Sequence, residues 1–151
     1  MNQLLKSVVP EIGTLRCVGV HSDLHRMNLY PCAYSLTLNV IENKLNAILN
    51  QRSQDMLVAN NWNVCQYSAL VHMFAQVSGL EAGEFVHVIA DAHIYDRHID
   101  MIEEMIALPQ HDAPKFAMNG SVKDFYKFST SDFSLIDYKY NRTGFKILVA
   151  E

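Results

Sequence analysis

The sequence has little of what marks membrane-spanning, disulfide-stabilised or disordered proteins. No apolar run approaches the roughly twenty residues that a helix needs to cross a bilayer. The first twelve residues have one lysine and no long apolar stretch, so they do not resemble a signal peptide. Three cysteines at wide spacing fit neither a disulfide framework nor a zinc site. Six glycines and four prolines in 151 residues argue against a low-complexity chain. We therefore expect a folded cytoplasmic protein.

Charge is also sparse in this sequence. Charged residues make up 19% of the chain, and the formal net charge is -4. Bulk binding to nucleic acid requires clustered Lys and Arg that neutralise phosphates, so we do not expect it. A single small phosphorylated ligand needs only a few donors and stays possible. Because half of the residues are hydrophobic, the length suffices for one domain with its own core, which we predict over residues 1–151.

The middle of the chain has clear strand and helix patterns. Apolar and polar residues alternate from Tyr34 to Val40, and a turn at Glu42 and Asn43 leads into a second strand over about 45–53, which predicts a long antiparallel hairpin. A helix follows, because apolar residues recur every three or four positions ahead of Gly79, a natural C-terminal cap. Those apolar residues are Val64, Tyr67, Leu70, Val71, Phe74 and Val77.

Weaker patterns predict the remaining elements. Residues 84–90 are typical of a buried strand, with Phe85, Val86, Val88 and Ile89 inside. A shorter helix over about 98–108 is expected to bury Ile99, Ile102, Met105 and Ile106. Further predictions are a weak helix over 1–11, a β-rich run over 14–20, and short strands near 115–118, 133–138 and 145–150. The mixture of elements predicts a layered α+β fold.

Three polar segments interrupt this apolar pattern. Cys32 follows a proline at the start of a strand, where a thiol can face a ligand, although a lone cysteine is most often a small buried hydrophobe. Cys65 falls among the helical core positions. Arg52 and Ser53 come at a strand end and combine a guanidinium with a hydroxyl, which is suitable chemistry for phosphate. A nearby Arg would also favour the reactive thiolate form of a cysteine.

The third segment contains His93 and Tyr95. Two positions apart in extended backbone, their side chains would project to the same side and could bind a sugar hydroxyl. We do not expect a metal site, because no carboxylate and second His follow at suitable spacing.

The order of these segments resembles the carboxy-terminal half of the thymidylate synthase family. The landmarks are Pro31-Cys32, then Gln51-Arg52-Ser53-Gln54-Asp55, then Asn63 near a helix start, then Asp91-Ala92-His93-Ile94-Tyr95. The resemblance runs from about Leu24 to the end of the chain. It implies a thymidylate synthase-like fold with a mixed, largely antiparallel sheet packed by helices, incomplete because the family's amino-terminal portion is absent.

The resemblance also implies an activity and its site residues. The family methylates deoxyuridine monophosphate (dUMP) to thymidine monophosphate (dTMP), with 5,10-methylenetetrahydrofolate as cosubstrate and no metal. Cys32 would add to C6 of the uracil, and Asp55 and Ala150 would contact the folate. Arg52 and Asp55 would assist catalysis. The expected dUMP-binding residues are Gln51, Arg52, Ser53, Asn63, His93 and Tyr95.

Several interpretations stay open from the sequence. The chain could be a synthase, weak or inactive alone, that works as a homodimer or with a separate amino-terminal half. That half would supply a further phosphate-binding Arg and a proton-transfer Glu. Alternatively, the chain could be a degenerate module that binds a pyrimidine nucleotide without converting it, or a remnant without either property. A hydroxymethylase acting on dCMP or CMP is disfavoured, because those relatives place an Asp where this chain has Asn63.

Overall fold

The computed structural model describes residues 13–15, in their backbone, and residues 30–147. Ala150, the helix predicted over 1–11 and most of the β-rich run over 14–20 lie outside these residues. The chain divides into two compact units, the first ending at His93 and the second beginning at Ile94. The single domain expected over residues 1–151 stays a prediction.

The first unit is built on a four-stranded mixed sheet. Its strands lie in the order β1, β2, β3, β5, with the first two pairings antiparallel and the last parallel. The predicted mixed, largely antiparallel sheet is therefore confirmed. The elements are β1 (Gly13–Leu15), β2 (Ala33–Ile41), β3 (Lys44–Gln51), β4 (Gln54–Asp55), helix α1 (Asn60–Ser78), β5 (Glu81–Ile89) and β6 (Ala92–His93).

The hairpin of β2 and β3 has its predicted turn. Glu42 and Asn43 both adopt positive φ, at 56° and 85°, as a type I′ hairpin turn requires. This turn sets the register that pairs Leu36 with Leu49 and Leu38 with Ala47. All four of those side chains are at most 5% exposed, and together they form the centre of the core.

Helix α1 packs against β3 and β5 and covers this apolar face of the sheet. Its buried residues are Val71 and Phe74, from the predicted apolar stripe, and Ala75, which was not predicted. Gly79 ends the helix at φ 72°, and the Leu80 amide donates to the Ala75 carbonyl over 2.9 Å. That left-handed glycine cap is the one expected from the sequence.

The prediction that β5 is buried on both faces is wrong. Val86 and Val88 are each 46% exposed, whereas Phe85 and His87 are half-buried. β5 is an edge strand in the part of the sheet that the structure describes. Val86 lies beside Ile48, on the face opposite to Ala47 and Leu49, where no described helix packs. A continuous apolar run does not distinguish a strand covered on both faces from one covered on a single face.

Cys65 also departs from its expected core position. It lies on the exposed side of α1. The buried stripe of the helix is shorter than predicted, because only the carboxy-terminal half of the helix buries side chains fully.

The second unit contains short elements. They are a 3₁₀ turn (Asp96–His98), helix α2 (Ile99–Ile106), β7 (Lys115–Met118), 3₁₀ turns at Phe125–Lys127 and Thr130–Asp132, and β8 (Phe133–Ile136). β7 and β8 pair antiparallel, and Phe133 stacks with Phe116 and contacts Phe128. The predicted helix and the first two short strands are thus present, but no strand covers residues 145–147.

Helix α2 does not bury its apolar residues as predicted. Ile99 is 44% exposed, Met105 36% and Ile106 72%, and Ile102 is half-buried. The amphipathic pattern is real, but no described element covers this side of the helix. Across residues 30–147, no helix has both the length and the apolar character to span a membrane.

We expect Gly83→Ala to lower the free energy of unfolding by about 2 kcal/mol, the usual scale of overpacking. A Cβ at this position would lie 2.3 Å from Asn46 Oδ1 and 3.1 Å from the Leu45 carbonyl oxygen. Asn46 Oδ1 also accepts from the Glu84 amide over 2.8 Å, so moving Asn46 breaks that hydrogen bond. Urea unfolding would measure the loss. In an Asn46→Ala background the same change should cost much less, and an equal cost in both backgrounds would show that Asn46 is not the obstacle.

Candidate active site

Cys32 and Arg52 lie side by side where β2 begins and β3 ends. The Arg52 amide donates to the Cys32 carbonyl over 2.9 Å, and Ala33 pairs with Gln51 in the adjacent register position. The Arg52 side chain reaches the backbone that precedes the cysteine. Its Nη2 donates to the Tyr30 carbonyl over 2.6 Å, and its Nε donates to the Pro31 carbonyl over 3.2 Å.

These two contacts anchor the guanidinium beside the backbone that leads into Cys32. A guanidinium has five N–H groups, so two bonds to carbonyls leave others for an anion. Arg52 is exposed and Cys32 is half-buried, so both are within reach of a ligand from solvent. The arrangement brings together the two residues on which the predicted chemistry depends.

Asp91 connects Ser53 to His93. Its Oδ2 accepts from Ser53 Oγ over 3.5 Å and lies 3.3 Å from His93 Nδ1. The short strands β4 and β6 hold these residues together, because they pair in parallel with Asp55 opposite His93. The backbone amide of Gln54 also donates to the Asp91 backbone carbonyl over 2.9 Å. Ser53, predicted to bind phosphate, and His93, predicted to bind ribose, come from distant segments, and both contact the Asp91 carboxylate.

Asp55 is held rigidly just ahead of α1. Its Oδ1 accepts from the amides of Leu57 and Val58 over 2.9 and 3.2 Å. The side chain is half-buried. The bonds to the backbone involve one carboxylate oxygen, so the other can face a ligand.

A buried chain of side-chain hydrogen bonds runs from β5 to α1. His87 Nε2 lies 3.0 Å from Gln51 Oε1, and Gln51 Nε2 donates to Gln54 Oε1. The same Gln54 oxygen accepts from Asn63 Nδ2 over 2.9 Å. Gln51 and Gln54 are 2% and 1% exposed, so the bonds are shielded from water. Asn63, which the sequence predicts to bind uracil, is thus fixed from within the core.

Tyr95 belongs to the second unit. It is 39% exposed, and its ring meets that of His98 edge to face, with centroids 5.7 Å apart. Its predicted contact with the same ligand as His93 stays a prediction, and Ala150 lies outside the described residues.

Comparison with known proteins agrees with the sequence motifs. The family model described as thymidylate synthase matches residues 17–150. This chain belongs to the thymidylate synthase family. It is 44% identical over 128 residues to the thymidylate synthase of Bacillus licheniformis, covering 84% of this chain and 46% of that protein. It is also 44% identical over 118 residues to the thymidylate synthase of Bacillus phage phi3T, covering 78% of this chain and 42% of the phage protein.

The thymidylate synthase fold is shared as well. A solved structure of thermostable thymidylate synthase A from Bacillus subtilis matches with a TM-score of 0.86 and 36% identity, covering 98% of this chain and 55% of that one. The predicted α+β fold is confirmed. The chain spans about half the length of the thymidylate synthases that it matches.

Two residues of this thymidylate synthase-like site were not assigned roles from the sequence. Asp91 is part of the Asp-Ala-His-Ile-Tyr motif, so its position in a matched motif was an available signal. Gln54 stands inside the Gln-Arg-Ser-x-Asp motif at its variable position. Nothing in the sequence indicated that its side chain turns inward.

We expect the stability of the fold to fall as pH is lowered below about 6.5, in part because of His87. Burial lowers the pKa of His87 by removing its ring from water. The folded state therefore prefers neutral His87, and below the unfolded pKa the unfolded chain binds more protons, which favours unfolding.

His87→Gln should make the urea midpoint depend less on pH between about pH 7.5 and 5.5, because the Gln amide keeps a donor for Gln51 without titrating. Burial lowers the pKa of His72 in the same way, so part of the slope should remain. A variant slope equal to that of the wild type would contradict this role for His87.

Proposed function

We propose that this chain carries the nucleotide-binding and nucleophilic half of a thymidylate synthase active site. The reaction would convert dUMP to dTMP with 5,10-methylenetetrahydrofolate as cosubstrate. The observation that carries the proposal is the Arg52 guanidinium bound to the Tyr30 and Pro31 carbonyls immediately before Cys32. A fixed positive charge there favours an anionic substrate beside the cysteine.

Cys32 acts as the nucleophile in this proposal. Its thiolate adds to C6 of the uracil, which makes C5 an enolate-like carbon that attacks the folate methylene group. C5 then loses its proton to water, assisted by the proton-transfer Glu that the amino-terminal half would supply. The tetrahydrofolate leaves C5's new methylene group, and hydride from the folate reduces that group to methyl. Expulsion of the Cys32 sulfur releases dTMP and dihydrofolate. The folate therefore supplies both the carbon and the reducing electrons.

The other site residues hold the two substrates. Arg52 and Ser53 bind the 5′-phosphate, and Ser53 is oriented by its hydrogen bond to Asp91. His93, beside the same carboxylate, binds the ribose 3′-hydroxyl together with Tyr95. Asn63 binds the uracil edge and is held by Gln54, which also accepts from Gln51. Asp55 binds the pterin ring of the folate through its second carboxylate oxygen, and Ala150 also contacts the folate.

We also propose that the chain forms a homodimer through the open face of its sheet. Ile48, Val86 and Val88 are 40 to 46% exposed there and lie side by side on β3 and β5. Exposed apolar surface of this kind favours burial in an interface. Val86→Lys should convert the dimer to a monomer in sedimentation experiments at micromolar concentration. A wild-type chain that sediments as a monomer would refute this part of the proposal.

A nucleotide-binding module without turnover is the second candidate. It is favoured by one observation, that Ser53 and His93 both contact the Asp91 carboxylate and could hold a phosphate and a ribose whether or not Cys32 reacts. A site that lacks groups supplied by the other half would lose much of its transition-state stabilisation, commonly several kcal/mol for even one electrostatic group. The same half could also be supplied by a separate chain.

The test uses 5-fluoro-dUMP, methylenetetrahydrofolate and intact-mass spectrometry, with peptide mapping of the modified residue. One arm contains the chain alone, and a second adds the amino-terminal half of a full-length relative as a separate polypeptide. An adduct on Cys32 in either arm supports the synthase. Calorimetric binding of dUMP without an adduct in both arms favours the module. Neither binding nor adduct would refute both candidates.

A further inference from the structure

Gln54 is a buried glutamine whose oxygen holds the Asn63 amide. Gln54 Oε1 accepts from Asn63 Nδ2 over 2.9 Å, and Gln54 Nε2 lies 3.5 Å from Asn60 Oδ1. At 1% exposure, Gln54 exchanges no hydrogen bonds with solvent. Leaving a buried donor or acceptor without a partner is costly, so these contacts determine which way each amide is turned.

The donor and acceptor roles along this series of hydrogen bonds follow from one bond to a backbone carbonyl. Gln51 Nε2 donates to the Ser53 carbonyl oxygen over 2.8 Å, and a carbonyl can only accept. This contact identifies the nitrogen end of Gln51, which also donates to Gln54 Oε1, while Gln51 Oε1 faces His87 over 3.0 Å. Gln54 must then accept from Asn63 through its side-chain oxygen, and Asn63 must donate through its side-chain nitrogen. Each amide orientation in the chain therefore depends on the one before it.

The free edge of Asn63 matches uracil. One of its two N–H groups is used by Gln54, which leaves one donor, and no described residue donates to its Oδ1. Uracil presents a donor at N3 and an acceptor at O4, whereas cytosine presents an acceptor at N3 and donors at N4. An amide that is free to turn by 180° exchanges its donor and acceptor positions and could pair with either base.

We propose that Gln54 is a positioning residue that sets the preference for uracil over cytosine by preventing the Asn63 amide from turning. This inference rests on the proposed function, because it assumes that Asn63 contacts the base. The sequence alone identifies Asn63 as suited to uracil, but an asparagine amide by itself fits both bases. The discrimination comes from the buried chain of hydrogen bonds that reaches Asn63 through Gln54.

The test compares Gln54→Met with Gln54→Glu in the full chain. Methionine has a similar length and no oxygen, whereas a glutamate carboxylate still accepts from Gln51 and Asn63. Calorimetry would give the ratio of the dUMP and dCMP dissociation constants. We expect the preference of the wild type for dUMP to fall by about 10- to 100-fold in Gln54→Met, the scale of one lost buried hydrogen bond. Gln54→Glu should restore most of it, and affinity for deoxyribose 5-phosphate, which has no base, should be unchanged in both variants.

A second readout needs no nucleotide. In ¹⁵N spectra of the ligand-free chain, the Asn63 side-chain amide protons should exchange slowly with water in the wild type and in Gln54→Glu, and faster in Gln54→Met. Equal exchange in all three would overturn the inference. If the wild type prefers dUMP and Gln54→Met keeps the full preference, the inference also fails while the proposed function stands. If the wild type binds neither nucleotide, alone or with the added amino-terminal half, the proposed function fails and the inference fails with it.

Discussion

Cys32→Ser is expected to abolish the covalent adduct with 5-fluoro-dUMP and methylenetetrahydrofolate. A serine hydroxyl is a far weaker nucleophile than a thiolate, and no described histidine contacts residue 32 to act as its base. Where a full site can be assembled, turnover should fall by about 10⁴-fold or more, the scale seen when a covalent nucleophile is removed. Nucleotide binding should survive, because Arg52, Ser53 and Asn63 are unchanged. Intact mass and calorimetry on the same sample would measure both properties.

The matched control for this experiment is Cys65→Ser. Cys65 is also a free cysteine, but it lies exposed on α1. We expect this variant to form the adduct at the wild-type rate. Adduct formation that survives Cys32→Ser but is lost in Cys65→Ser would assign the chemistry to Cys65 and refute the mechanism.

Local patterns predicted the first unit well. The Tyr34–Val40 alternation and the Glu42-Asn43 turn depend on neighbours in sequence, and both the hairpin and its turn are present. The same holds for the end of α1 at Gly79. Val86, Val88 and Ile106 were expected to be buried but are exposed, because burial depends on which element packs on top. Where no described element covers a face of the sheet, apolar patterns are present without the corresponding core.

The site shows a similar division. Cys32 and Arg52 were predicted to meet, and the structure brings their segments together through the Arg52 amide and side chain. The linear motif could identify which residues belong to the site. It could not reveal that the Arg52 guanidinium donates to the backbone carbonyls before Cys32, or that Gln54 turns inward to hold Asn63. Such contacts depend on hydrogen-bond directions in the folded chain, which spacing along a sequence does not encode.

Arg52 should have two separable effects, one from its charge and one from its shape. Arg52→Lys keeps the charge, but a single ammonium cannot bond to the Tyr30 and Pro31 carbonyls and also grip a phosphate bidentately. We therefore expect dUMP affinity to fall by about 10- to 100-fold, as the loss of a bidentate charged contact predicts. The rate at which iodoacetamide alkylates Cys32 should change little, because a positive charge remains near the thiol.

Arg52→Met removes the charge as well as the fork. Nucleotide affinity should then fall at least as far as in Arg52→Lys, and alkylation of Cys32 at neutral pH should slow too, because the thiolate loses its nearby cation. Arg142→Lys, at an exposed position in the second unit, provides the control and should change neither property. If Cys32 is alkylated as fast in Arg52→Met as in the wild type, Arg52 binds phosphate without activating the thiol. The thiolate would then need a cation from outside the described residues, such as one supplied by a partner chain.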